Sequence, residues 1–360
     1  MQKSFKINSS IYSYKVLVGY EYTSYLKEVK NNYVVIIDEK LLSKHNSFCQ
    51  SPNNFIAIEA KEENKDLANI SNIISEIKKF SLRKDSILIG IGGGIIQDIT
   101  CFISSIYMRG INWVYIPTTF LGICDSCIGG KSSINVNGIK NLVGNFNPPQ
   151  EVIIDFSFLK SLNNSMIDSG LCEALKICFA YHDNKVLECF NNFFENKKID
   201  YLENITALSL ETKKWFIEKD EFDKNERKLL NFGHTFGHAI ESQSNYQIPH
   251  GIAVGFGMLW AIFISNIYFK NIDNNRVIIL LKSLQNLLKT HTNFCKIIEE
   301  LSVDKIYQSF IFDKKHNATL FNCILINEDG FVTIKSFNKD QEFIKNFKLS
   351  YNELKKFISL

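Results

Sequence analysis

Ser86-Ile87-Leu88-Ile89-Gly90-Ile91-Gly92-Gly93-Gly94-Ile95-Ile96 decides how the first half of the chain folds. A charge-free apolar run of strand length reads as a β-strand buried on both faces. Glycines follow directly, and then a further apolar pair. A strand that runs through glycines into a helix start brings backbone amides close to a phosphate. The pattern departs from Gly-x-Gly-x-x-Gly, because the chain reads Gly90-Ile91-Gly92-Gly93-Gly94-Ile95. A plain tight turn would look the same, so the motif supports a dinucleotide pyrophosphate without establishing one.

Similar apolar runs flank it. Tyr33-Val34-Val35-Ile36-Ile37 ends at Asp38, and further strands are expected at 54–58, 112–116 and 152–155. Residues 67–80 carry an amphipathic helical pattern. Continuous apolar strands separated by helices imply a parallel sheet covered on both faces. Asp38, at a strand end, is a candidate acceptor for ribose hydroxyls and would favour NAD over NADP. From about Ser161 the pattern changes to long helical segments. The expected division is 1–158, an α/β domain, and 159–360, a helical domain, with the break between 155 and 163. No internal repeat is visible.

The 360 residues are 45% hydrophobic and 22% charged, which suits one large or two ordinary globular domains. A net charge of +3, from 41 basic and 38 acidic residues, makes no case for nucleic acid. The nine cysteines are scattered, and no apolar segment follows the start at 1–6, so a reducing cytoplasm is expected. Cys124-Asp125-Ser126-Cys127 reads as two small buried residues rather than a redox pair. Residues 252–269 are nearly continuous apolar sequence, about long enough to span a bilayer. Gly255, Gly257, Ser265 and Asn266 interrupt the run and no basic flank anchors it, so a buried core helix is expected and no membrane partner.

Chemistry concentrates in the second half. Arg227, Asn231, His234 and His238 are spaced four, three and four apart, which on one continuous helix puts all of them on one face. A cation, an amide and two imidazoles make a poor core stripe but a good wall for a metal and an anion. Glu173 and Lys176 share a helix face and read, by themselves, as a surface salt bridge. His250-Gly251 opens the apolar helix; a histidine there is easily kept neutral, as a metal ligand must be. In the first half, Lys131 follows Gly129-Gly130, and Lys140-Asn141 follows Gly138-Ile139, which suggests anion handling in glycine-rich loops. Neither stretch is a Walker A loop.

Taken in order, these pieces resemble the 3-dehydroquinate synthases and the wider sugar phosphate cyclase family. The segments are Gly92-Gly93-Gly94-Ile95-Ile96-Gln97-Asp98, Tyr107-Met108-Arg109-Gly110, Ile116-Pro117-Thr118-Thr119 and Asp125-Ser126-Cys127-Ile128-Gly129-Gly130-Lys131. Then come Lys140-Asn141-Leu142-Val143-Gly144, Gly170-Leu171-Cys172-Glu173-Ala174-Leu175-Lys176, the stretch 227–238, His250-Gly251 and Asp313-Lys314-Lys315. The resemblance runs from about residue 33 to 325.

It implies a Rossmann-like NAD-binding α/β domain followed by an all-α metal-binding domain, with the site between them. It implies one divalent metal, zinc first and cobalt next, held by Glu173, His234 and His250. The His-x-x-x-His spacing alone suggests that His234 and His238 both bind metal; the resemblance makes His238 a substrate contact. Lys131, Lys176, Lys213, Arg227 and Lys314 correspond to substrate cations, and Asn141 and Asn231 to substrate hydrogen bonds. Arg109 corresponds to a residue that reaches the partner subunit's site, which implies a homodimer. Asp38, Glu62, Lys65, Gly93, Gly94, Ile95, Asp98, Thr118, Thr119, Asp125, Lys140, Phe158 and Ser161 correspond to NAD contacts.

The chemistry implied is a cyclisation of a seven-carbon sugar acid phosphate. Hydride passes from a secondary alcohol to NAD, the new carbonyl acidifies its neighbour, phosphate leaves, hydride returns, and an aldol step closes a carbocycle. Departures from the family pattern are Gln97 for glycine, Ile252 for an acid, Cys127 for serine, and Asn163-Asn164 for prolines. The alternatives are a cyclase of sedoheptulose 7-phosphate, glucose 6-phosphate or an amino analogue, a metal-dependent NAD alcohol dehydrogenase, or a paralogue that binds nucleotide without turnover.

Overall fold

The computed structural model of the chain describes residues 2–44, 54–196, 200–313 and 315–359. The chain divides into two units, residues 1–162 with 213–222, and residues 163–212 with 223–360. A single break after 158 has no place for the return at 213–222.

The first unit begins with β1 (Lys3–Ile7), β2 (Tyr14–Val18), α1 (Tyr22–Glu28), β3 (Tyr33–Asp38), α2 (Glu39–Lys44) and β4 (Phe55–Ile58). It continues through α3 (Leu67–Lys78), β5 (Ile87–Gly92), α4 (Gly94–Ile106), β6 (Asn112–Pro117), the hairpin β7 (Ile134–Val136) and β8 (Ile139–Val143), and β9 (Glu151–Ile154). One seven-stranded sheet runs in the order β1-β2-β9-β6-β5-β3-β4. Only β1 pairs antiparallel, with β2; the other pairs are parallel. The apolar strands are central for the expected reason: every residue of β5 is buried, and Ile89, Ile91, Val114, Ile116 and Ile153 form one core with Phe158.

The strand order places the ligand end. From β3 the chain steps out to β4, then returns past β3 to β5 and continues the other way to β6. The crevice between the carboxyl ends of β3 and β5 is therefore a topological switch point, where open α/β sheets bind ligands. Asp38 ends β3 and Gly92 ends β5. A Cβ on Gly92 would stand 2.5 Å from Ile96 Cγ1, so glycine is what lets α4 start so close to the strand, whereas nothing lies within 4 Å of a Cβ on Gly94.

The second unit holds α5 (Asn164–Ala180), α6 (Asn184–Asn196), most of α7 (Tyr201–Lys219), α8 (His234–Gln243), α9 (His250–Phe269) and α10 (Asn275–Leu288). After α11 (Thr292–Glu300) and α12 (Val303–Ile311), a hairpin of β10 (Leu320–Ile326) and β11 (Val332–Asn338) precedes α13 (Gln341–Ile358). The expectation of an all-α domain is corrected by this hairpin, whose turn carries Gly330 at φ 82°. Asp329-Gly330 between apolar runs is the hairpin signal that helical patterning on either side obscured. Helix α9 is the core: among the described residues it alone has the length and hydropathy to cross a bilayer, and 78% of that stretch is buried within the protein. Trp260 on α9 stacks on Phe236 of α8, with ring centroids 5.2 Å apart. Asn163, which stands in place of a proline, caps α5 by accepting the Met166 amide at 2.9 Å.

Gly92→Ala should destabilise the protein by about 1–3 kcal/mol through overpacking against Ile96. Gly94→Ala, with open space at its Cβ, should stay within about 0.5 kcal/mol. Denaturant unfolding of both variants checks the contrast; equal effects would contradict the close approach of α4 to β5.

Candidate active site

On the first unit, Gly93, Gly94 and Ile95 form the start of α4 beside β6, with the Thr118 amide donating to the Gly92 carbonyl at 3.1 Å. Thr118 and Thr119 follow β6, and a Cβ on Gly93 would meet Thr119 Cγ2 at 2.9 Å. The glycine turn, the two threonines and Asp38 therefore share the carboxyl edge of the sheet. Asp38 itself accepts the Lys40 amide at 3.1 Å.

A polar network fixes the next ring of residues. Lys65, 6% exposed, donates to Asp98 Oδ2 and to Asn141 Oδ1, both at 2.9 Å. Glu62 lies 3.7 Å from the same ammonium and accepts from Asn135 Nδ2 at 2.8 Å. Asn135 in turn accepts the Asn141 amide, so Glu62, Lys65, Asp98 and Asn141 set one another. Burial pushes the Asp98 carboxyl up to about 6, against the opposing charge of Lys65 and the Ser133 amide. Gln97, where glycine was expected, is 5% exposed and exchanges two 2.6 Å hydrogen bonds with Ser126. That side chain ties the first turn of α4 to the turn that carries Asp125.

Lys213 donates to the Asp125 carbonyl at 2.6 Å and pairs with its carboxylate at 2.5 Å. Lys131 is exposed and lies over the Phe146 ring, 5.8 Å from its centroid; Lys140 lies on β8 beside Asn141. Phe158 is fully buried in the core, stacked on Tyr22 at 5.1 Å, and its carbonyl accepts from Ser161. The structure thus places the Phe158 side chain in packing rather than at an open surface. Arg109 is exposed in a left-handed turn, with φ of 49° at Met108 and 63° at Arg109. Lys84 holds that turn by donating to the carbonyls of Met108, Arg109 and Gly110.

The second unit brings the metal candidates together. Glu173 and Lys176 are 1% and 3% exposed, so their reading as a surface pair is corrected: the helix that carries them is buried on every side from Ser169 to Ala180. Lys176 donates to Glu173 Oε2, and Glu173 Oε1, equally buried, has no hydrogen-bond partner among the described residues. His250 Nε2 lies 3.5 Å and His234 Nε2 3.7 Å from that oxygen. Burial, then the charge of Lys176, depresses His234 well below the ordinary imidazole range, so it is neutral with a lone pair to offer. At His250 burial acts the same way, but Glu241 outweighs it and raises the group.

His238 is a third imidazole nearby: ring nitrogens of His234, His238 and His250 all lie within 4.8 Å of one another. Two donor sets are available beside His234 and His250, one completed by His238 and one by Glu173. A buried carboxylate oxygen without a donor suits a cation; the His238 side chain is 46% exposed and that of His250 40%, and His238 Nδ1 lies 3.9 Å from Asp313. Burial would raise Asp313, yet His238 and the Lys315 ammonium 3.0 Å away hold it below the usual carboxylate range. Lys314 lies outside the described residues.

The single helical face expected for Arg227, Asn231, His234 and His238 is also corrected. Residues 226–231 form a 3-10 turn, and Gly233 at φ 78° breaks the path before α8 begins at His234. The left-handed break lets α8 cross α9 closely, since a Cβ on Gly257 would overlap the Gly233 carbonyl. His234 and His238 keep their shared face on α8; Arg227, 4% exposed, and Asn231, which donates to Lys228 O at 3.1 Å, sit on the preceding turn. Sequence reasoning missed Glu241, whose carboxylate meets His250 Nδ1 at 3.1 Å. The signal was present: Glu241 is seven residues past His234 and three past His238, on one helix face.

A family model described as 3-dehydroquinate synthase N-terminal matches residues 55–169, and one described as 3-dehydroquinate synthase C-terminal matches 170–316. The chain is 37% identical over 298 residues to a 3-dehydroquinate synthase of Dictyoglomus turgidum, covering 82% of each chain. It is 33% identical over 350 residues to that of Clostridium kluyveri, covering 92% of this chain and 95% of the relative. Among solved structures, a 2-deoxy-scyllo-inosose synthase complexed with carbaglucose-6-phosphate, NAD+ and Co2+ has the same fold, with a TM-score of 0.80, 20% identity, and coverage of 98% of this chain and 100% of that one.

Lys176→Met strands Glu173 as a buried charge with no cation, and should cost the metal-free protein about 3–5 kcal/mol. The double variant with Glu173→Gln should recover much of that loss. Urea unfolding measures both; a single variant as stable as wild type would contradict the buried pair.

Proposed function

The chain belongs to the 3-dehydroquinate synthase family, and from that premise we propose how its residues divide the work. It is a phosphate-eliminating cyclase, a carbon–oxygen lyase of the shikimate pathway that turns 3-deoxy-D-arabino-heptulosonate 7-phosphate into 3-dehydroquinate. The alternatives, a cyclase of a neutral sugar phosphate and an alcohol dehydrogenase, are not favoured by its curated relatives.

The observation that carries the site reading is Glu173 Oε1, buried, unpartnered, and within 3.7 Å of two histidine nitrogens. One carboxylate and two imidazole nitrogens fit a divalent ion and leave positions for substrate oxygen. Zinc is the first choice for that donor set and cobalt the next. When bound, the cation polarises the alcohol oxygen that becomes a carbonyl. Bound NAD would supply reversible hydride transfer, held at the glycine turn and Asp38. Glu173, His234 and His250 hold the cation, while Lys176 keeps the second Glu173 oxygen occupied and so leaves Oε1 as the donor.

The glycine turn 93–95, Thr118, Thr119 and Asp38 face the switch point and suit the cofactor's pyrophosphate and ribose, with Asp38 favouring NAD. Asp98 and Glu62 orient Lys65, and Asp125 orients Lys213, so these ammonium groups are held for anionic oxygens rather than left mobile. Arg227 is a buried cation suited to a two-pronged grip on carboxylate or phosphate. Lys131, Asn141 and Asn231 add substrate contacts, and His238, exposed and paired with Asp313, can hold or pass a proton at the substrate. By the resemblance at Arg109, which is exposed on a turn that Lys84 holds, we infer a homodimer in which it serves the partner subunit's site. A cytoplasmic location fits the pathway.

The test is turnover of the seven-carbon acid phosphate, followed by released phosphate and by NADH absorbance. Phosphate should appear only with NAD present, and NADH should not accumulate. Arg227→Ala should lose roughly 2–5 kcal/mol in kcat/KM for this substrate while its metal content stays at the wild-type level. NADH formed in step with product would establish a dehydrogenase; indifference of the rate to Arg227→Ala would remove the anion grip.

A further inference from the structure

Glu241 belongs to no part of the site described so far as ligand, substrate contact or cofactor contact. It lies on α8, on the face that also presents His234 and His238, and its side chain is 15% exposed. Its Oε2 meets His250 Nδ1 at 3.1 Å. The other nitrogen of the same ring, Nε2, lies 3.5 Å from Glu173 Oε1, the oxygen with no hydrogen-bond partner. A neutral imidazole carries one proton, and a carboxylate accepts only from the nitrogen that bears it. With the proton held at Nδ1, the lone pair is at Nε2, on the side of Glu173.

We propose that Glu241 is a positioning residue for the cation site, fixing the His250 tautomer and ring rotation so that Nε2 is the donor. The proposal rests on the reading of His250 as a ligand. Its geometry is independent of any ion, because Glu241 meets the nitrogen that does not face Glu173. A second hold acts on the backbone: the Gly251 amide donates to Ser169 Oγ at 3.0 Å, which ties the start of α9 to α5, the helix of Glu173. Helix α8 therefore supplies one ligand, His234, and also orients the ligand that α9 supplies. The carboxylate raises the basicity of the ring it holds, which strengthens the bond of Nε2 to a metal.

The experiment measures Co2+ affinity of full-length wild type, Glu241→Gln, Glu241→Ala and His250→Ala by competition with a chromophoric chelator. Visible spectra of the cobalt forms and unfolding of the metal-free forms are recorded beside it. Glu241→Ala should bind cobalt about 10–100-fold more weakly. Glu241→Gln, whose amide oxygen still accepts from Nδ1, should fall between it and wild type. Both should shift the cobalt d–d bands, while metal-free Glu241→Gln unfolds like wild type. If His250→Ala binds cobalt as tightly as wild type, the ligand set is wrong. If His250→Ala loses affinity while both Glu241 variants keep wild-type affinity and spectrum, the ligand set stands and the positioning role is overturned. Weaker binding that only tracks lost stability, with an unchanged spectrum, also overturns it.

Discussion

A carboxylate 1% exposed in the middle of an apolar helix sets the terms for the second unit. Glu173 costs several kcal/mol to desolvate unless both of its oxygens are compensated. Lys176, one helical turn on, compensates one of them. The other lies near two imidazoles and has no hydrogen-bond partner among the described residues, which suits a small divalent cation better than packing. The neighbouring choices follow from that constraint. His234 is kept neutral by burial and by Lys176. Gly233 and Gly257 let α8 and α9 cross closely enough for His234 and His250 to meet the same oxygen. Ser169 holds the first turn of α9.

The first unit solves a different problem with the same logic. Its central strands are buried on both faces, and at their carboxyl edge Gly92 brings the start of α4 against the sheet. Around that edge two ammonium groups are held by hydrogen bonds and ion pairs. Lys65 is shared by Asp98 and Asn141, and Lys213 is gripped by Asp125. Such pairs contribute little net stability, since desolvation offsets attraction. What they supply is direction: each ammonium is already oriented and partly stripped of water. Gln97 extends the network, because its exchange with Ser126 links the first turn of α4 to the segment of Asp125.

Much of this was legible in the residues. The apolar runs around 86–91 located the sheet, because a strand buried on both faces needs uninterrupted Val and Ile. The apolar length of 252–269, broken by glycines, identified a core helix. Glu173 with Lys176 was legible as a pair but not as a buried one, since i,i+3 spacing is the same on a surface and in a core. The stripe from Arg227 to His238 assumed an unbroken helix; a left-handed Gly233 carries no periodic signal, so the break was invisible. The β10–β11 hairpin was lost among helical patterns for a related reason, its seven-residue strands being short beside the helices that flank them. Glu241 was within reach of a helical-wheel argument, but its partner His250 sits on another helix, and contacts between helices are not written in spacing.

The central claim is that Glu173, His234 and His250 together hold one divalent ion. Metal analysis of the purified Glu173→Ala protein, after dialysis against trace zinc, tests it most directly. Wild type should retain about one ion per chain. Glu173→Ala should retain far less than one, with its fold intact by circular dichroism. Full metal retention in Glu173→Ala would contradict the account and return the site to the three histidines 234, 238 and 250.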